Sequence, residues 1–129
     1  MIAITRYLID THILIWWMEK SKRLNKVLFS IINNPQNQIF VSVASVWEIV
    51  IKIGKKRLKI PVDIEGDITI RGLRILPIEI SHVLHVGKLA NYHKDPFDRI
   101  LVAQAKVENL TLITADEKIW KYTTKVIKA

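Results

Sequence analysis

Apolar and polar positions along this chain fall into short blocks whose period switches repeatedly between strand and helix. Arg6-Tyr7-Leu8-Ile9, Ile39-Phe40-Val41, Arg74-Ile75-Leu76-Pro77-Ile78 and Leu110-Thr111-Leu112-Ile113-Thr114 have the β-branched and aromatic content of buried strands. Lys125-Val126-Ile127 is a candidate edge strand. Between them lie helical patterns. Ile13 to Met18 predicts a short buried helix after Thr11-His12. Leu24, Val27, Leu28, Ile31 and Ile32 predict a helix from an N-cap at Ser21 to Ile32, stopped by Asn33-Asn34-Pro35. A third helix is expected from about Val43 to Lys56, opened by Ser42 or Ser45, with Pro61 marking a break. Residues 63–73 are weakly helical, Ser81 is expected to cap a helix through Leu89, and a short amphipathic helix should follow Asp116. Strands alternating with helices indicate an α/β fold with a mainly parallel sheet covered on both faces. Neither a repeat nor a linker interrupts the pattern, so residues 1–129 read as a single domain.

The chain is organised around residues 94–116. Asp95 followed by Pro96 reads as an N-cap with proline at N1, where a missing N–H costs nothing. Asp98 then falls in the first turn, beside free backbone N–H groups. Ile100-Leu101-Val102-Ala103-Gln104-Ala105 is apolar and small enough to be buried, and Asn109 is a candidate C′ residue. Asp116 sits just past the following strand, as Asp10 does past the first. In open α/β sheets that edge is where ligands bind.

Composition narrows the chemistry. Half of the 129 residues are hydrophobic, which suffices for a real core. The apolar run Ile13 to Met18 is too short for a membrane span, so a soluble cytoplasmic protein is expected. With no cysteine, disulfides, thiol catalysis and cysteine-ligated zinc are excluded. A formal net charge of +8 favours polyanionic partners, nucleic acid first, against a merely solubilising surface. No Gly-rich phosphate loop is present.

Four carboxylates can therefore meet at one sheet edge: Asp10, Glu48, Asp98 and Asp116. Clustered carboxylates repel and hold protons unless a cation neutralises them. Mg²⁺ or Mn²⁺ suits oxygen ligands, lowers the pKa of a water nucleophile and offsets charge on a phosphodiester. Each acid also has a plain structural role open to it. Asp10 and Asp116 can cap helices, Glu48 can close a capping box with Ser45, and Asp98 can complement a helix dipole. Glu48 is set apart by its apolar neighbours Trp47, Ile49 and Val50. Lys52, Lys55, Lys56 and Lys59 form one helix face that either is solvated or tracks phosphates. Of the histidines, His82 and His85 lack zinc spacing, and His93 reads as a solvated loop residue near the site. Trp16, Trp17 and Trp47 read as core, while Trp120 stays open between core and base stacking.

Tyr7-Leu8-Ile9-Asp10-Thr11-His12, Ser42-Val43-Ala44-Ser45-Val46-Trp47-Glu48-Ile49, Asp95-Pro96-Phe97-Asp98-Arg99 and Thr114-Ala115-Asp116 together resemble the four signature segments of PIN-domain ribonucleases, especially VapC-like toxins of toxin–antitoxin pairs. The resemblance implies a three-layer αβα sandwich around a parallel sheet of four or five strands. It implies an endoribonuclease whose Asp10, Glu48, Asp98 and Asp116 bind one or two Mg²⁺ or Mn²⁺ ions. It further implies a cognate antitoxin and a homodimer. Thr11 and Thr114 are the candidates for the family's small hydroxyl residue, orienting carboxylates. Lys52, Lys55 and Arg99 are candidate RNA contacts, Arg99 having a structural alternative as a lock on the helix start. A non-catalytic RNA-binding module of the same fold is the rival; a DNA-directed nuclease would need extra elements this chain has no room for.

Overall fold

Leu8 and Ile9, adjacent in the first strand, point into two separate cores, and that alternation builds the molecule. The computed structural model describes residues 5–56, 63–122 and 124–129. Its strands are β1 (Arg6–Ile9), β2 (Gln38–Ser42), β3 (Arg74–Leu76), β4 (Thr111–Thr114) and β5 (Val126–Lys128). All pair in parallel, in the order β3-β2-β1-β4-β5. Leu8 registers with Phe40 and Leu112, and Leu112 with Val126, so these four share one face. Ile9, Val41, Ile113 and Ile127 share the other.

Against the Ile9 face pack α1 (Thr11–Glu19), α2 (Lys26–Asn33), α3 (Val43–Gly54) and α4 (Ile64–Ile70), through Ile13, Leu14, Trp17, Leu28, Ile49 and Ile68. Against the Leu8 face packs α6 (Pro96–Val107), through Leu101, Val102 and Ala105. The remaining helix, α5 (Ile80–Val86), lies along α6. The result is the expected three-layer α/β sandwich, with a sheet that is wholly parallel. Among the described residues no helix is long and apolar enough to cross a membrane.

Several boundaries differ from the sequence reading for local reasons. Helix α2 starts at Lys26, because Asn25 accepts the Leu28 N–H at 2.9 Å, while the Ser21 hydroxyl accepts from Arg23 N–H in a separate turn. Ser42, not Ser45, caps α3, and Ser45 lies inside the helix, so no Ser45–Glu48 capping box forms. Strand β3 ends at Leu76, before Pro77, which has no N–H for a ladder. Helix α5 is capped at Glu79 and ends at Val86, so Ser81 lies within it. A single 3₁₀ turn, Ile119–Lys121, replaces the amphipathic helix after Asp116. Trp17 is core, but Trp47 is 58% exposed, contrary to its reading as a core residue. The break at Pro61 and the lysine-face member Lys59 lie outside the described residues.

Candidate metal centre

The chain runs outward from β1 to β2 and β3, then returns to place β4 on the other side of β1. The order reverses between β1 and β4, which opens a crevice beyond their C-terminal ends. Asp10 leaves β1 there and caps α1, its carboxylate accepting the Ile13 N–H at 2.9 Å. The Thr114 hydroxyl at the end of β4 donates to the other Asp10 oxygen and accepts the Asp116 N–H at 3.0 Å. One threonine thus ties the two strand-end acids together. Asp10 is 2% exposed, and burial, offset in part by the Thr114 and Ile13 bonds, pushes its carboxyl above the usual range.

Asp98 reaches the same crevice from α6. Asp95 caps that helix, accepting the Phe97 and Asp98 N–H groups at 2.8 and 3.3 Å, with Pro96 in the first turn. Burial is the largest cause raising the Asp98 carboxyl to about 7; the charge of Asp95 adds to it, His93 opposes it, and Glu48 and Asp116 add further. Glu48 lies on α3 with its side chain 16% exposed and ion-pairs with Lys52 at 3.5 Å. Asp98 therefore feels Glu48 and Asp116, and Asp10 feels Asp116.

The tightest group contains a residue that the sequence reading set aside. His93 is buried, and its Nε2 lies 3.0 Å from Asp98 Oδ2 and 2.7 Å from Asp116 Oδ2. One ligand atom from each of His93, Asp98 and Asp116 falls within 4.8 Å of the others. Asp10 and Glu48 are outside that group. The available local signal was the position of His93 two residues before a helix cap, where its Nδ1 accepts the Asp95 N–H at 3.1 Å.

Other candidates take different places. The Thr11 hydroxyl donates to Ser45 Oγ at 3.1 Å and so joins α1 to α3. Arg99 donates to the carbonyls of Val86, Ala90 and His93 and to the Tyr122 hydroxyl, so its guanidinium holds the preceding loop. Lys55 is exposed at the end of α3. Trp120 donates its indole N–H to Thr114 O at 3.0 Å, beneath Lys128. Beside the His93 nitrogen, the group offers hard carboxylate oxygens from Asp98 and Asp116, which fit a divalent cation of the Mg²⁺ or Mn²⁺ type.

The PIN domain family model matches residues 7–125 of the chain. No curated protein matches it. VapBC2 from Rickettsia felis, bound to a DNA fragment from its promoter, superposes with a TM-score of 0.71 at 19% identity, over 96% of this chain and 98% of that one. DNA-bound VapBC from Salmonella typhimurium gives 0.69 at 14% identity, over 97% and 98%. A toxin–antitoxin complex from Klebsiella pneumoniae gives 0.66 at 22% identity, over 95% and 96%. At these identities the likeness is one of fold.

Proposed function

The chain belongs to the PIN-domain family, and from that premise we propose that it is a Mg²⁺- or Mn²⁺-dependent endoribonuclease acting as the toxin of a toxin–antitoxin pair. The observation that carries the reading is the convergence of Asp98 and Asp116 at the sheet's switch point, electrically coupled to Glu48 and Asp10. Asp98 and Asp116 are the principal ligands, with Asp10 and Glu48 completing the acidic ring around one or two ions. A bound ion would supply a lowered pKa for a water nucleophile and stabilisation of charge building on the phosphoryl oxygens. Thr114 fixes Asp10 and the Asp116 backbone together, which keeps the acids in register before a cation arrives. Lys52 stands beside Glu48 and offers positive charge to an RNA backbone, with Lys55 exposed at the end of the same helix.

We further assign the whole of 1–129 to one cytoplasmic nuclease unit, neutralised by an antitoxin and paired as a homodimer. The structural neighbours are toxin–antitoxin complexes, which supports a protein partner. So does an apolar groove of about 300 Å³ between α3, α5 and α6, lined by Trp47, Ile78, Val83, Phe97 and Ile100, with Val50 and Leu84 exposed nearby.

Purified chain incubated with RNA in Mg²⁺, Mn²⁺ or EDTA, beside Asp98→Asn, tests the reading. Cleavage should need the metal and fall by more than about a hundredfold in the variant, beyond what a partner of a ligand is usually worth. RNA binding without cleavage under every metal would move the assignment to a non-catalytic RNA-binding module.

A further inference from the structure

We propose that His93 is a positioning residue that clamps the Asp98 and Asp116 carboxylates from outside the metal coordination shell, an inference that rests on the metal-dependent reading above. The hydrogen bonds decide its role. Nδ1 accepts the Asp95 N–H at 3.1 Å, so that nitrogen carries a lone pair and the imidazole proton resides on Nε2. Nε2–H then faces two acceptors, Asp98 Oδ2 and Asp116 Oδ2. A protonated nitrogen has no lone pair for a cation, so within this three-residue group the carboxylates are the ligands, and the histidine donates to Asp116 with Asp98 alongside.

The clamp is itself anchored. The His93 N–H donates to the Tyr122 hydroxyl at 3.1 Å, and the His93 carbonyl accepts from Arg99 Nη1 at 3.1 Å. Arg99 also grips Val86 O at 3.1 Å, so the loop carrying His93 is fastened to α5 and α6. Both main-chain polar groups and both ring nitrogens of His93 are thereby engaged. Asp98 rides on the first turn of α6 and Asp116 on the loop after β4, and the imidazole joins those two elements. Two like charges brought together repel. The Nε2–H, bonded to Asp116 and 3.0 Å from Asp98, holds their oxygens convergent at one point while each carboxylate keeps a second oxygen for a divalent ion. A lysine ammonium in the same place would occupy the site as a counterion, whereas the ring, fixed through Nδ1, orients the ligands from one side.

Mn²⁺ affinity, measured by titration calorimetry on the purified chain with thermal melts as a folding control, tests this without any assay of cleavage. His93→Ala should weaken Mn²⁺ binding about 10–100-fold. His93→Gln, whose amide N–H reaches towards the Nε2 position, should recover most of that loss. Tyr122→Phe, which removes one anchor and leaves the imidazole, should weaken binding a few-fold. Wild-type affinity in His93→Ala, tighter binding in it, or a Gln variant no better than Ala would overturn the proposal. Should His93→Ala fail to fold, unchanged affinity in Tyr122→Phe would overturn it equally. A wild-type chain that binds no Mn²⁺ would overturn the nuclease reading itself, and this inference with it.

Discussion

Two buried histidines at opposite ends of α6 share one wiring and do different things. His82, fully buried, accepts the Glu79 N–H on Nδ1 at 2.9 Å and donates Nε2–H to Glu108 Oε1 at 3.0 Å. His93 accepts the Asp95 N–H on Nδ1 and donates Nε2–H to Asp116 Oδ2, with Asp98 Oδ2 3.0 Å from the same nitrogen. In each, a backbone N–H fixes the tautomer and a carboxylate receives the proton donor. The difference lies in the acids. His82 meets one carboxylate, that of the α6 C-cap, and their bond fastens the start of α5 to the end of α6. His93 meets two, with Glu48 and Asp95 adding negative charge close by. A satisfied histidine–carboxylate pair is structure; the same pair with surplus acid asks for a cation.

Removing His82 gives the largest effect that separates the two regions. His82→Ala leaves the Glu79 N–H without its side-chain acceptor and empties a fully buried site, so it should cost about 2–4 kcal/mol in urea unfolding. Mn²⁺ affinity should stay at the wild-type value, the reverse of the pattern for His93→Ala. A loss of metal affinity matching that of His93→Ala would erase the distinction between them.

Acidity probes the surplus charge more gently, because the Asp98 side chain is 21% exposed and water screens part of its burden. Its carboxyl is raised to about 7 in the folded chain, against about 3.9 when unfolded. Between those values the folded state holds the proton more tightly than the unfolded state. The contribution to stability is therefore complete below about pH 4 and is lost as pH rises through 7. In EDTA, the melting temperature of the wild type relative to Asp98→Asn should fall across that window, and saturating Mg²⁺ should restore it at pH 8. A relative melting temperature that rises with pH would reverse the sign and refute the electrostatic account.

What was legible in the sequence divides along the same line. The strand Arg6–Ile9, the Asp95-Pro96 cap and the C′ residue Asn109 are local patterns, and each has its predicted place. Caps were misplaced where two competent residues lie close together, as at Ser21 and Asn25, because the chain's packing and not propensity selects between them. Asp10, Asp98 and Asp116 could be placed at one sheet edge because topology alone carries them there. His93 could not, since its place depends on a loop whose backbone is held by Arg99 and by Tyr122 from a distant segment. Trp47 was misread for a related reason: α3 is apolar nearly all round, and only the fold shows that Ile49 is covered while Trp47 and Val50 are bare.

The smallest expected effect concerns the acid with a cation already beside it. Glu48 pairs with Lys52 at 3.5 Å, one turn away on α3, and the lysine side chain is 30% exposed. An i,i+4 pair of that exposure is worth no more than about 0.5 kcal/mol, so Lys52→Ala should leave stability nearly unchanged. Two electrostatic consequences oppose each other at the site. Losing a nearby positive charge makes the acidic ring more attractive to Mn²⁺, whereas RNA loses one phosphate-facing charge. The variant should therefore bind Mn²⁺ slightly more tightly and show a salt dependence of RNA binding shallower by about one ion. If the salt slope is unchanged while Mn²⁺ tightens, Lys52 serves Glu48 alone, as the His93 N–H serves Asp116.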